Sequence, residues 1–152
     1  MISPPGIEKY LVGTGHIDSL QVRSAVGHQR RWGRSFEQAV VDLGFMTEND
    51  LLLEVAKYLD VPYICIEPTT VARDAVRRLP ERLVRARKVL PLAINGEPGH
   101  WSLVVAMTDP RDLATLDEVR FAAGIPIQPV LASESQIDEA IEMHFGRRPQ
   151  PA

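Results

Sequence analysis

The chain reads as an α+β protein: a lobe of two tandem helical hairpins over residues 1–60, then a small α+β lobe with a three- to four-stranded sheet over 61–146. Three observations carry this. Helix-capping residues recur through the first sixty positions, a repeat at an offset of 29 residues links two helix pairs, and after Asp60 the texture changes to short β-branched runs broken by turns. With 152 residues, 45% apolar and 24% charged, the chain holds enough apolar material for one core or two small lobes. Its composition fits neither a disordered nor a fibrous class.

Asp18 followed by Gln21, Ser35 by Gln38 and Thr47 by Asp50 each set an N-cap oxygen three residues before a side chain able to reach back. The last of these is an acidic variant of the capping box. Gly15 and Gly44 stand where helix C-caps belong, because glycine accepts the left-handed conformation that ends a helix. Four helices are predicted, over 7–14, 19–30, 36–43 and 48–59. Their hinges repeat: Leu11-Val12-Gly13-Thr14-Gly15-His16-Ile17-Asp18 aligns with Val40-Val41-Asp42-Leu43-Gly44-Phe45-Met46-Thr47. At the same offset Val22 and Val26 meet Leu51 and Val55, an i, i+4 apolar pair on the second helix of each unit. One αα-hairpin cannot bury its apolar face alone, whereas two facing each other can.

Beyond Asp60, residues 63–66 are predicted as a strand, 70–79 as a helix capped by Thr70 and stopped by Pro80, and 81–87 as a short helix. Strands follow at 89–94 and 101–107, joined by Asn95-Gly96-Glu97-Pro98-Gly99, a glycine-containing hairpin connection. A helix over 111–123 ended by Gly124, a strand over 127–131 and a last helix over 133–145 ended by Gly146 complete the lobe. The tail, 147–152, carries two prolines and is expected to be flexible.

Chemistry is sparse. Cys65 is the single cysteine, which excludes an internal disulfide or thiolate cluster, and in the apolar run 61–66 it is expected to behave as a small buried hydrophobe. His16, His28, His100 and His144 have neither an i, i+4 partner nor a companion cysteine, so no metal site is predicted. There is no G-x-x-x-x-G-K-[ST] phosphate loop, no supported Ser/His/Asp or Cys/His set and no implied cofactor, which predicts a protein without catalysis. A net charge of −3 gives no general attraction to nucleic acid or to an anionic membrane. No run approaches the roughly 18 to 20 apolar residues that cross a bilayer, and the first six residues have no leader pattern, which predicts a cytosolic chain.

Local charge is strongest at Arg73, Arg77, Arg78, Arg82, Arg85, Arg87 and Lys88, seven basic side chains against Asp74 and Glu81. At helical spacing these form a basic ridge, read either as a surface for an acidic partner or phosphate or as a solvated helix face. The span has no aromatic residue, so single-stranded nucleic acid is a poor fit. Trp32, beside Gly33 in the linker between repeats, is expected to pack there, the alternative being stacking on a base or a partner. Asp109-Pro110 follows the 101–107 strand, and Asp109 is expected to cap the next helix.

Four stretches together resemble a known family: Tyr58-Leu59-Asp60-Val61-Pro62-Tyr63; Val89-Leu90-Pro91-Leu92; Leu103-Val104-Val105-Ala106-Met107-Thr108-Asp109-Pro110; and Ile127-Gln128-Pro129-Val130-Leu131-Ala132-Ser133-Glu134. Their order and spacing are similar to the N-terminal domain of type II secretion and type IV pilus assembly ATPases, over about residues 7–146. The tandem helical repeat resembles the portion of that domain called MshEN, which in some members binds cyclic di-GMP. The family pattern opens each repeat with Arg-Leu-Gly and closes it with Leu-x-x-x-Leu-x-x-Gln. Here the opening positions hold Gly6-Ile7-Glu8 and Ser35-Phe36-Glu37, and the closing glutamine survives as Gln29 but is replaced by Tyr58 in the second repeat.

The resemblance thus implies Leu11, Gln29, Phe36, Val40, Leu51 and Asp109 as contacts for a cyclic di-GMP ligand, with Arg34 standing near the missing second arginine. A cyclic dinucleotide needs charge-assisted donors for its phosphates, and both aligned arginines are gone. Two readings stay open. The first is a docking or regulatory module whose partner is a protein of a secretion or pilus machine or a signalling protein, with Arg73, Arg77, Arg78, Arg82 and Arg85 as partner-binding residues. It is cytoplasmic, held at the inner membrane only through that partner. The second is a cyclic di-GMP sensor with a degenerate site. An adaptor, a competitor of the motor and a piece of a longer protein are equally compatible with the sequence.

Overall fold

The computed structural model describes residues 5–146, and the chain splits into two compact units, Met1–Val61 and Pro62–Ala152. The predicted tail at 147–152 lies outside the described residues.

The first unit is helical. Its elements are α1 (Ile7–Gly13), α2 (Ser19–Trp32), α3 (Phe36–Asp42) and α4 (Glu48–Leu59). Asp18 closes a reciprocal capping box with Gln21. Ser35 and Thr47 accept the amides of Gln38 and Asp50, but the Gln38 side chain turns instead to Asp42. The 29-residue repeat is a repeat of geometry. Gly15 and Gly44 have φ of 82° and 75°, their N–H groups donate to the carbonyls of Val12 and Val41, and the next residues' N–H groups donate to Leu11 and Val40. Ile7, Leu11 and Ile17 are buried, as are their counterparts Phe36, Val40 and Met46.

The second helices of the repeats diverge. α4 packs against both α1 and α3 and buries Leu51, Leu52, Glu54, Val55 and Ala56, whereas α2 packs against α3 and buries Ala25. Arg23 and Gly27 stand in α2 where α4 has Leu52 and Ala56, so α2 lacks the apolar stripe that would let it be covered on a second side.

In the second unit a 3-10 turn (Pro68–Thr70) precedes α5 (Arg73–Val76), α6 (Glu81–Arg87), β1 (Leu90–Glu97), β2 (His100–Met107), α7 (Leu113–Ala123), β3 (Ile127–Leu131) and α8 (Glu134–Phe145). The three strands are ordered β1-β2-β3, with β1 antiparallel and β3 parallel to the central β2. The parallel pair is joined by α7, as a crossover requires. Each outer strand carries a proline, Pro91 and Pro129, both in register with Val105, and a bulge follows Pro91. The core gathers Leu90, Leu103, Val105, Met107, Val119, Ile137 and Ala140 with the apolar faces of α5 and α6.

Several expectations are corrected. No strand forms over 63–66: Tyr63 makes a single parallel bridge to Leu131, after which the Ile66 amide is taken by the Gln136 side chain instead of a neighbouring strand. Cys65 is consequently exposed, not buried. The 70–79 helix shrinks to one turn, because the Ala72 amide donates to the Leu92 carbonyl and keeps 71–72 extended, while Thr70 bonds back to Glu67 rather than capping. The hairpin is tighter than predicted, turning at Pro98–Gly99, and α7 starts at Leu113 because Asp112, not Asp109, caps it. Trp32 is 61% exposed and does not pack the linker.

Candidate functional site

Two of the family's motif positions meet in the first unit. Gly6, at the place of the first arginine, is the N-cap of α1 in a left-handed conformation with φ 83°. Directly over it lies the hydroxyl of Tyr58, the residue at the place of the second closing glutamine: a Cβ on residue 6 would sit 2.8 Å from that oxygen. The Tyr58 hydroxyl donates to the carbonyl of Pro5, and its ring is 5.0 Å from that of Tyr10. A side chain at position 6 and the Tyr58 hydroxyl as placed therefore compete for the same space.

Glu54, its side chain only 9% exposed, takes an ion pair from Lys57 at 3.1 Å and a hydrogen bond from the Tyr10 hydroxyl at 3.3 Å, with His16 Nε2 at 3.2 Å. Burial pushes its carboxyl up, but Lys57, His16 and Tyr10 together outweigh that and hold it below the usual range. His16 is thus committed to an internal carboxylate. A second polar cluster centres on Asp42, which accepts from Arg34 at 3.0 and 3.4 Å and from Gln38 at 3.1 Å, with His28 at 3.2 Å. The Arg34 and Gln38 bonds hold its carboxyl low.

Four of the seven ligand candidates, Leu11, Phe36, Val40 and Leu51, are core residues, exposed by 1% or less. They fix the repeat and present nothing to solvent. Gln29 is half-buried near the end of α2, and Arg34 is exposed with its guanidinium engaged by Asp42. Asp109 belongs to the second unit, where its carboxylate accepts the backbone and side-chain N–H groups of Arg111 in a local turn. A groove of about 480 Å³ in the first unit is lined by Glu8, Lys9, Val12, Gly13, Ser19, Val22 and Arg23.

The arginines of the second unit separate into two kinds. Arg85 is largely buried against the end of α8, bonding Glu81 and donating to the carbonyls of Phe145 and Gly146. Arg87 pairs with Glu118, and Lys88 with Glu134 and Asp138. Glu134 raises the Lys88 ammonium above its ordinary value, with burial opposing and Asp138 assisting. Arg73, Arg77, Arg78 and Arg82 are exposed. The break at Leu79-Pro80 divides the ridge, and two of these four, Arg73 and Arg77, line a cleft of about 380 Å³ with Val76, Met143, His144 and Phe145. Sequence reading missed the α8 residues there, which stand some 70 positions from the arginines and carry no local signal. It also took Gly6 and Tyr58 as separate losses, although their shared place in the two motifs was visible.

Known proteins fit this architecture. The model of the MshEN domain family matches residues 59–151, so it falls on the second unit and leaves the helical repeat outside the matched span. The type IV pilus assembly ATPase PilB of Myxococcus xanthus is 31% identical over 138 residues, covering 91% of this chain and 24% of that protein. PilB of Thermus thermophilus is 33% identical over 124 residues, 78% of this chain and 14% of that protein. The chain spans about a quarter or less of these relatives. Among solved structures, MshE with cdg is similar at a TM-score of 0.74 and 28% identity, covering 90% of this chain and 96% of that one. The N-terminal domain of XpsE shares the fold, with a TM-score of 0.62 and 24% identity over 96% of this chain and 100% of that one.

Proposed function

The chain belongs to the MshEN domain family, related to the N-terminal domains of pilus and secretion ATPases, and from that premise we propose that it is a non-catalytic docking and regulatory module of such a machine. The observation that carries this reading is the Gly6–Tyr58 contact. It fills with protein the place where the family pattern puts an arginine, and the second arginine position, Ser35, is an N-cap whose hydroxyl is already used by Gln38. A dinucleotide carrying two phosphates finds no aligned guanidinium in either repeat, and charge-assisted bonds are what such a ligand needs most. In the second unit Arg73, Arg77, Arg78 and Arg82 present exposed positive charge, which suits a protein partner.

The second reading, a cyclic di-GMP sensor, draws on the likeness to MshE with cdg and on the open groove with Lys9 and Arg23. One paired experiment separates them. Affinity capture of the tagged chain from its source cells, with mass spectrometry, is expected to recover an inner-membrane or cytoplasmic component of a pilus or secretion machine. Calorimetry with cyclic di-GMP is expected to give no heat of binding. Micromolar binding of the dinucleotide, weakened by Lys9→Ala or Arg23→Ala, with no machine component captured, overturns the docking reading in favour of the sensor.

A further inference from the structure

We propose that the cleft between α5 and the C-terminal end of α8 receives an acidic segment of a partner protein, an apolar side chain flanked by carboxylates one helical turn apart. The proposal rests on the docking reading and names the partner's chemistry. Charge comes first. Arg73 and Arg77 stand at i, i+4 on one face of α5 and its C-cap, a spacing that sets their Cβ atoms about 6 Å apart. Neither makes an ion pair among the described residues, whereas Arg34, Arg85, Arg87 and Lys88 are each engaged by a carboxylate. Among the described residues, no carboxylate lines the cleft.

The end of α8 reinforces this. A helix C-terminus carries partial negative charge that repels an anion. Here Arg85 donates to the carbonyls of Phe145 and Gly146 and neutralises that end from behind. His144 adds no competing acid, and its Nε2 lies 3.0 Å from the Pro68 carbonyl.

The floor supplies the second half of the fit. Val76 is buried, Phe145 half-buried, and Met143 57% exposed, an unbranched thioether lying open on an ordered helix. Methionine adapts to irregular apolar partners, so it suits one inserted side chain. Two planar guanidinium forks beside such a floor match carboxylates bidentately while the apolar side chain is desolvated between them. A bare phosphate would leave Met143 uncovered.

The intact chain is titrated, with fluorescence anisotropy, against a labelled amphipathic peptide carrying Glu pairs at i, i+4 about a Leu, and against the same peptide with Lys for Glu. The Glu peptide is expected to bind and the Lys peptide not. Arg73→Glu/Arg77→Glu is expected to weaken binding at least about tenfold, the size of one lost charge-assisted contact. Arg78→Glu/Arg82→Glu, exposed outside the cleft, is expected to change it less than about twofold. Met143→Asp provides an independent readout, weakening the Glu peptide while leaving the melting temperature unchanged. Equal losses from the two double variants, or equal binding of both peptides, would overturn the cleft in favour of diffuse attraction. If the Arg73→Glu/Arg77→Glu chain still captures the machine component from cells, the cleft is wrong and the docking reading stands. If the wild-type chain captures none while the Glu peptide binds as expected, the cleft stands and the docking reading fails.

Discussion

Tyr58 and Gly6 form a pair in which one side chain exists at the expense of another, and energetic coupling between them follows. Gly6→Ala adds a Cβ at 2.8 Å from the Tyr58 hydroxyl and at a φ of 83°, so it is expected to destabilise the first unit by more than about 1 kcal/mol. In a Gly6→Ala/Tyr58→Phe double variant the steric part is relieved and the backbone part is not, so urea denaturation should show clear non-additivity. Glu54 behaves differently, because its partners depend on it. Glu54→Ala leaves the half-buried Tyr10 hydroxyl without its acceptor and is expected to cost roughly 1 to 3 kcal/mol in the same measurement. Asp42 adds a pH signature. Its carboxyl is held below the ordinary aspartate value of about 3.9, so its stabilisation is complete above that pH and is lost as pH falls through the lower folded value. The advantage of wild type over Asp42→Asn should therefore be constant near neutrality and shrink below about pH 3.9. None of these pairings was legible from single positions: Cys65 and Trp32 were expected to be buried and are exposed, because burial depends on which distant segment arrives to cover a residue.

Helix ends were the most legible elements, since a cap is decided within four residues. Asp18, Ser35 and Thr47 each cap where the sequence puts them, and Ser133, predicted as the first helical residue, is the N-cap of α8. Ser133 is 3% exposed and its hydroxyl accepts the Gln136 amide, so Ser133→Ala is expected to cost about 1 kcal/mol, read as a lower thermal midpoint with α8 amides exchanging faster. Residues 63–66 and 70–79 were misread for the opposite reason. Their amides are claimed by Gln136 and Leu92, partners 70 and 20 positions away, and a local pattern contains no trace of either. The basic ridge shows the same limit: its charge was legible, but not that Arg85 would be consumed at the end of α8 while Arg73 and Arg77 stayed open.

At the scale of the molecule, each unit owns a core. The cluster around Leu103, Val105 and Ile137 draws only on residues 66–145, and the first unit buries Leu11, Val40 and Leu51 within itself. Leu51→Ala and Leu103→Ala remove fully buried side chains, each at a cost of about 2 to 5 kcal/mol. That is most of what a helical unit of this size holds. Hydrogen exchange on Leu51→Ala should accordingly show α1–α4 losing protection while β1–β3 keep theirs. The prolines of the two outer strands bear on how anything attaches to the sheet. A partner that binds by adding a strand needs an unbroken row of donors and acceptors along an open border. Pro91 with its bulge interrupts one border and Pro129 removes a donor from the other strand. Recruitment by β-augmentation is thus discouraged on either flank, as is fibrillar self-association, which leaves side chains as the means by which the proposed partner would be held.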